Sequence, residues 1–169
     1  FDINEMFQFD EEIGRVCSNG TTILVVGQRS IFLRQKQFPL PHTKCKIGFE
    51  PKKDTPVVFW LESGRVKALD LLKQQEIPLS LAADALMESN GRVYIKLDQS
   101  ILELSIQEIG PSLKVFAKPV GKVLDVPGAT HVLDGFILQN MLGTYHASFF
   151  PVSGQCYQIK IPELTKYKI

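Results

Sequence analysis

Short apolar runs, each closed by a turn signal, recur along almost the whole chain. One example is the run at 57–61, after which Gly64 sits in a turn that leads into a second run at 66–69. Glycine can take the positive φ that a tight hairpin turn requires. Runs of this length that are rich in β-branched and aromatic residues indicate strands. The hydrophobic pattern therefore predicts an all-β chain.

Two stretches share a pattern that goes beyond a strand-like composition. Ser-Asn-Gly stands at 18–20 and again at 89–91, and each copy precedes an apolar run. Each run breaks at a turn with a glutamine in it and resumes at Ser-Ile, at 30–31 and at 100–101. Both copies predict a turn, a strand, a tight turn and a second strand. Gly91, like Gly64, is expected to need a positive φ.

The inner hairpin turns recur at a nearly regular spacing. They are predicted near Ser30, Gly64, Ser100 and Thr144, at intervals of 34, 36 and 44 residues. A period of ~40 residues with about four short strands per unit is typical of β-propeller blades. Over residues 13–161 the chain resembles a β-propeller in architecture. The resemblance points to no particular family, because the chain has no Trp-Asp blade ending, paired-glycine kelch signature or aspartate-box spacing.

We therefore predict repeated four-stranded antiparallel units in a β-propeller-like fold. The chain of 169 residues would be a single all-β domain or a fragment of a larger propeller. Its units would lie near 13–46, 47–77, 78–118 and 119–161. An irregular β-barrel or sandwich is the alternative, followed by a mixed α+β fold. A β-trefoil fits less well, because the two repeat copies lie about 70 residues apart, which is two propeller periods.

Five segments carry local expectations. Residues 79–88 fit either a helical stripe or a short strand at 84–88, and we favour the strand. Residues 10–12 are interpreted as a solvated acidic turn. Two prolines at 38–41 are expected to end the first hairpin, because proline cannot donate to a sheet ladder. Residues 42–54 indicate an edge strand followed by a basic exposed loop. Ile-Gly-Pro at 109–111 is expected to end a unit.

Composition and charge exclude several classes of protein. The charges of the 19 basic and 18 acidic residues nearly cancel, so the net charge does not indicate binding to nucleic acid or to an anionic membrane surface. Apolar residues make up 44% of the chain, but their longest runs are far too short for a membrane span. No targeting signal is visible, and the start at Phe1 suggests an excised or processed fragment.

The cysteines favour a reducing compartment. Cys17, Cys45 and Cys156 are odd in number and widely spaced, whereas a disulfide framework would show a denser, even set. We expect reduced and mostly buried thiols. The predicted location is intracellular and cytoplasmic.

The densest group of reactive residues lies near the C-terminal end of the sequence. Cysteine with histidine and aspartate can make an activated nucleophile, and two histidines with a cysteine can supply three zinc ligands. The residues concerned are His131, Asp134, His146 and Cys156. Their spacing matches no compact motif, so we interpret them as ordinary strand residues. No catalytic residue, metal site or cofactor is predicted.

Other candidates are weaker still. A binding surface is suggested by four lysines and one tryptophan, namely Lys44, Lys46, Lys52, Lys53 and Trp60. The basic stretch contains a single aromatic, whereas single-strand binding needs aromatics interleaved with charge. Paired carboxylates for hydrolysis would have to converge in space. The available ones are Glu62, Asp70, Asp98, Glu103 and Asp125, and we interpret them as solvated.

The resulting functional hypothesis is a non-enzymatic scaffold or protein–protein interaction module within a larger protein. A hydrolase or lyase with a site in the axial cavity of a propeller is the alternative. A β-domain that binds nucleic acid through the basic loop at 44–53 is a third, although nucleic acid is not the expected partner. The expected partner is a protein or the remaining part of the same propeller. Terminal strands at 6–9 and 157–161 would pair with each other or with that partner.

Overall fold

The computed structural model describes residues 10–89, 91–98 and 100–122, together with four strands between 130 and 161. The described residues contain strands and no helix, which confirms the all-β prediction. The sixteen strands are β1 (Ile13–Ser18), β2 (Ile23–Gly27), β3 (Ser30–Leu33), β4 (Lys36–Pro39), β5 (Lys46–Phe49), β6 (Pro56–Glu62), β7 (Arg65–Asp70), β8 (Gln75–Ile77), β9 (Ala85–Ser89), β10 (Arg92–Leu97), β11 (Ser100–Ile109), β12 (Ser112–Lys122), β13 (Thr130–Leu133), β14 (Phe136–Met141), β15 (Thr144–Phe149) and β16 (Tyr157–Ile161).

The strands form four antiparallel sheets of four strands each, in chain order. Sheet 1 contains β1 to β4, sheet 2 contains β5 to β8, sheet 3 contains β9 to β12 and sheet 4 contains β13 to β16. Each sheet is a simple meander, so every strand pairs with its neighbour in sequence. The four predicted inner hairpins are therefore confirmed, and each joins the second and third strands of its sheet. The two Ser-Asn-Gly copies occupy the same place, between the first and second strands of sheets 1 and 3.

Sheet 2 explains why its central strand is apolar at almost every position. Successive strand residues point to opposite faces, and both faces of sheet 2 are covered. Val57 and Phe59 belong to the cluster shared with sheet 3, whereas Val58 and Trp60 pack in the cluster shared with sheet 1. A strand that is buried on both sides loses the usual apolar–polar alternation. The continuous run at 57–61 is the sequence signature of this central position.

Sheets 2 and 3 stack with like strands together. β5 packs against β9 and β10, and at the other edge β8 packs against β12. We call the edge formed by the first strand of each sheet the inner edge. It continues toward sheet 4, because β13, the first strand of that sheet, lies against β9. Two apolar clusters fill the spaces between sheets 1 and 2 and between sheets 2 and 3. The described sheets do not close into a ring.

β9 confirms the short strand expected at 84–88, and residues 79–84 lead into it from sheet 2. Only Ala82 among them makes a strand-like bridge, to Arg65, and β9 begins at Ala85. The segment is an extended connection whose Ala83 N–H donates to the Gly64 carbonyl, 3.0 Å away. Leu79 and Leu81 pack on the cluster between sheets 2 and 3. Their apolar spacing reflects this bridging position and neither a helix nor a longer strand.

One of two expected chain breaks was misjudged. The prolines at 38–41 do end the strands of the first unit, because β4, the last strand of sheet 1, runs from Lys36 to Pro39. Pro39 is tolerated at the end of an edge strand, where a missing N–H costs little. Ile-Gly-Pro at 109–111, in contrast, ends no unit. Gly110 has φ 61° in the turn, and the chain returns as β12 in the same sheet.

Glu11 is not part of a solvated acidic turn, because its side chain is only 3% exposed. One carboxylate oxygen accepts the backbone N–H groups of Arg29 and Ser30, at 2.7 and 2.9 Å, and the other accepts the Ser30 hydroxyl. The hydrogen bond from the Arg29 N–H is the main reason why the pKa of Glu11 is lowered. The residue therefore caps the turn between β2 and β3. The strand predicted at 6–9 lies outside the described residues.

Candidate functional site

The inner edge of sheet 2 is where three sheets meet. β5 is an edge strand that pairs only with β6, so alternate backbone groups face away from its own sheet. The Ile47 N–H donates to Glu88 Oε2 at 2.7 Å, and the Phe49 N–H donates to the Gly91 carbonyl at 2.9 Å. Both acceptors belong to sheet 3 or its first turn. Exposed edges of this kind favour unwanted pairing, and here a neighbouring sheet covers the edge.

Arg15 extends this junction to sheet 1. Its guanidinium forms an ion pair with Glu88 and donates a hydrogen bond to the Cys45 carbonyl. The same group lies 2.7 Å from Cys17 Sγ. The side chains of Arg15 and Glu88 are 29% and 17% exposed, so the pair is largely removed from water. One arginine and one carboxylate thus hold β1, β5 and β9 together, and we call these contacts the three-sheet junction.

The two described thiols of the junction are buried, and their surroundings disfavour ionisation. Cys17 and Cys45 are both buried and free, as the sequence predicted for them, and Cys156 lies outside the described residues. Burial raises the pKa of both thiols, and the Glu88 carboxylate raises that of Cys17 further. The Cys17 thiol donates to Glu88 Oε1 at 3.3 Å. Because the thiolate is the nucleophilic form, this environment favours a structural role for the two residues.

A surface pocket of about 430 Å³ opens beside the junction. Arg15 lines it from sheet 1, Leu86 from sheet 3 and Leu61 from sheet 2. The connection between β4 and β5 supplies His42 and Lys44, and the His42 Nδ1 accepts the Lys44 N–H at 3.1 Å. The pocket therefore lies where three sheets and one connection converge.

The candidate lysines are divided between the two ends of β5. Lys44 and Lys46 lie at its start and line the pocket, whereas Lys52 and Lys53 lie in the turn after it. Lys53 pairs with Glu108 of sheet 3 at 3.0 Å. The four lysines thus make no single basic surface.

Trp60 is half-buried and packs against the cluster between sheets 1 and 2. Its contacts there are those of a core side chain.

The histidines belong to sheet 4. His131 lies in β13 opposite Leu138, and His146 lies in β15 opposite Gln139. Asp134 and Cys156 lie outside the described residues. Within the part of the chain that the structure describes, no three His, Cys, Asp or Glu residues are grouped as metal ligands.

One pair of carboxylates does converge, on the outer side of sheets 2 and 3. Asp70 and Glu108 line the same small pocket. Asp70 is buried and its Oδ1 accepts the Lys73 N–H at 3.3 Å, while Glu108 is held by Lys53. Each carboxylate therefore already serves a turn or an ion pair. The sequence analysis named Asp70 as a candidate carboxylate but did not name Glu108.

The sequence analysis missed Arg15 and Glu88. A signal was present, because Arg15 and Cys17 occupy alternate positions of β1 and therefore share one face of the strand. A charged residue on the same face of a strand as a buried residue indicates that a partner of opposite charge is buried beside it. The identity of that partner, 73 residues further along the chain, depends on how the sheets stack.

No family model and no curated protein matches the chain. Among the described residues, no helix has the length and apolar character needed to cross a membrane.

Proposed function

We propose that the chain is part of a β-propeller-like scaffold whose function is to bind another protein. The observation that carries this proposal is the serial stacking of four-stranded meanders with their like strands adjacent. Propeller blades stack in this way, each burying faces that it cannot bury alone. Binding proteins commonly use such repeated units as a rigid frame.

The far face of sheet 1 supports the protein-binding part of the proposal. Val16 and Ile23 are 48% and 39% exposed, and the register places them on the face opposite the cluster shared with sheet 2. Val25 and Phe32 share that face and are buried. Large exposed apolar side chains beside buried ones favour association with a further surface. In a propeller this surface would be the next sheet or a partner protein.

Association of the purified chain tests this proposal. Light scattering from 1 to 100 μM is expected to show self-association, because copies can cover the exposed Val16 and Ile23 side chains for each other. Val16→Glu places a charge on the far face of sheet 1 and is expected to keep the chain monomeric. Leu72→Glu is the matched control, because Leu72 is 44% exposed in the turn after β7. A wild-type chain that stays monomeric over the whole range would remove the support for a protein-binding face.

The axial hydrolase or lyase remains the alternative from a different class. It requires acidic or histidine side chains from several sheets to converge at the inner edge. Of the described residues there, Glu88 is the carboxylate at the junction, and it is bound by Arg15, the Cys17 thiol and the Ile47 N–H. We therefore favour the scaffold.

A further inference from the structure

The pocket beside the three-sheet junction has a one-sided chemistry. Among the described residues that line it, every charged side chain is basic, and the apolar lining comes from two different sheets. Its lining side chains are Arg15, His42, Thr43, Lys44, Lys46, Leu61 and Leu86, together with Cys45. A surface of hydrogen-bond donors next to apolar side chains is complementary to a ligand that carries both an anion and a hydrophobic group.

The His42 ring is already fixed as a donor. Its Nδ1 accepts the Lys44 N–H at 3.1 Å, so in the neutral ring the proton is on Nε2. Thr43 and Lys44 are exposed and carry a hydroxyl and an ammonium group. Within three consecutive residues, the connection before β5 thus offers three kinds of donor. A carboxylate can accept from several donors at once, which suits this short segment.

The nearby carboxylate does not satisfy these donors. Both oxygens of Glu88 are used inside the junction, one by Arg15 and the Cys17 thiol and the other by the Ile47 N–H. Glu88 neutralises much of the Arg15 charge, so the exposed ammonium group of Lys44 is the positive charge that the proposal uses. Leu61 and Leu86 are half-buried and form the apolar side.

We propose that this pocket binds an acidic peptide segment of a protein partner, with a carboxylate at the Lys44 side and an apolar side chain against Leu61 and Leu86. The proposal rests on the scaffold function and names the chemistry of the partner. Basic side chains attract phosphates as well as carboxylates, so it is the apolar lining from Leu61 and Leu86 that favours a peptide over a nucleic acid. The described lining contains no Phe, Tyr or Trp side chain on which a base would stack, and the lysines at the other end of β5 lie apart from the pocket.

A peptide of alternating glutamate and leucine is the probe. We take an acetylated hexapeptide, Glu-Leu repeated three times, with a C-terminal fluorophore, and measure its fluorescence anisotropy with the full chain. The Gln-Leu hexapeptide has the same shape without the charge. We expect the Gln-Leu peptide to bind about tenfold more weakly, the size of one lost charge-assisted hydrogen bond.

Variants of the two exposed lysines locate the binding. Lys44→Gln is expected to weaken the Glu-Leu peptide about tenfold, and Lys44→Arg is expected to retain most of the affinity. Lys52→Gln removes the same charge at the other end of β5, and we expect a change of less than about twofold. Both residues are exposed, so the unfolding transitions of all three variants should match that of the wild type.

Three outcomes would overturn the proposal. Equal losses for Lys44→Gln and Lys52→Gln would reveal general charge attraction, and equal binding of the Gln-Leu peptide would reveal apolar adhesion. Tighter binding of a hexathymidine oligonucleotide would favour nucleic acid instead. The light-scattering test concerns the far face of sheet 1, so a failure at the pocket and a failure of the scaffold give different results.

Discussion

The two Ser-Asn-Gly turns have the same three residues and very different surroundings. Gly20 in sheet 1 has φ 95° and open space where a Cβ would lie. Gly91 in sheet 3 has φ 81°, and an added Cβ would lie 2.5 Å from Asn19 Cβ and 3.1 Å from the Phe49 ring. The first copy of the turn thus packs against the second. The sequence repeat places the two turns at equivalent positions of their sheets. The stacking of the sheets turns this equivalence into a direct contact between the two turns.

The positions just before these turns differ in the same way. Cys17 precedes the first Ser-Asn-Gly and Glu88 precedes the second, and the two side chains meet in the three-sheet junction. Asn19 is anchored separately, because its Oδ1 accepts the Thr21 and Thr22 N–H groups and its Nδ2 donates to Asp54. Equivalent positions in the two copies have therefore taken complementary chemistry. The difference shows that the repeat units are specialised for one another.

The largest expected effect comes from filling the buried turn. Gly91→Val combines a positive φ with a clash against Asn19, so we expect the free energy of unfolding to fall by at least about 3 kcal/mol. Gly20→Val has the positive φ without the clash, and we expect about 1 to 2 kcal/mol. Urea unfolding of both variants measures the difference. Equal losses would mean that the two turns have the same environment and that sheet 1 does not meet sheet 3 here.

Breaking the ion pair of the junction is expected to cost somewhat less. Glu88→Gln leaves the Arg15 guanidinium without its charged partner, and we expect a loss of about 2 kcal/mol, below the fully buried range because Arg15 is partly exposed. Glu103→Gln is the matched control. Glu103 has the same 17% exposure and pairs with Arg92 at 3.6 Å, within a single sheet.

We expect Glu103→Gln to lose less than about 1 kcal/mol in urea unfolding. A control loss as large as that of Glu88→Gln would show that the junction contributes no more than an ordinary pair within one sheet.

The pattern of hairpins could be predicted because its signals are local. Alternation, apolar runs and residues such as Gly64 act within a few positions, and they located the second and third strands of all four sheets. The short edge strands β4 and β8 were missed, since Lys36–Pro39 and Gln75–Ile77 are mostly exposed and carry little apolar signal. Glu11 was interpreted as solvated and Glu88 was missed, because their backbone partners belong to other segments of the chain.

The smallest expected effect concerns pH. Burial raises the pKa of Cys17 in the folded protein, so below the unfolded pKa, near 8.5, its contribution to stability is fully present. As the pH rises above that value the unfolded thiol ionises first, and stability falls by up to about 1.4 kcal/mol per pH unit for one proton.

Cys17→Ala is therefore expected to flatten the decline in unfolding free energy between pH 8.5 and 10. Cys45 and Tyr94, whose pKa values are also raised by burial, keep part of the slope. Urea unfolding of the wild type and the variant at several pH values measures this slope. An unchanged slope in the variant would place Cys17 in a more solvated environment than the junction provides.

Amide hydrogen exchange at the inner edge of sheet 2 tests the central claim, that the sheets stack face to face with their first strands together around β5. The Ile47 and Phe49 N–H groups face away from their own sheet, and sheet 3 alone supplies the acceptors described for them. Resolved by NMR on the full chain, both amides are expected to exchange at least a hundredfold more slowly than in an unstructured peptide, as in a strand interior. Exchange within about tenfold of the unstructured rate, while the central strand β6 stays protected, would contradict the stacked arrangement.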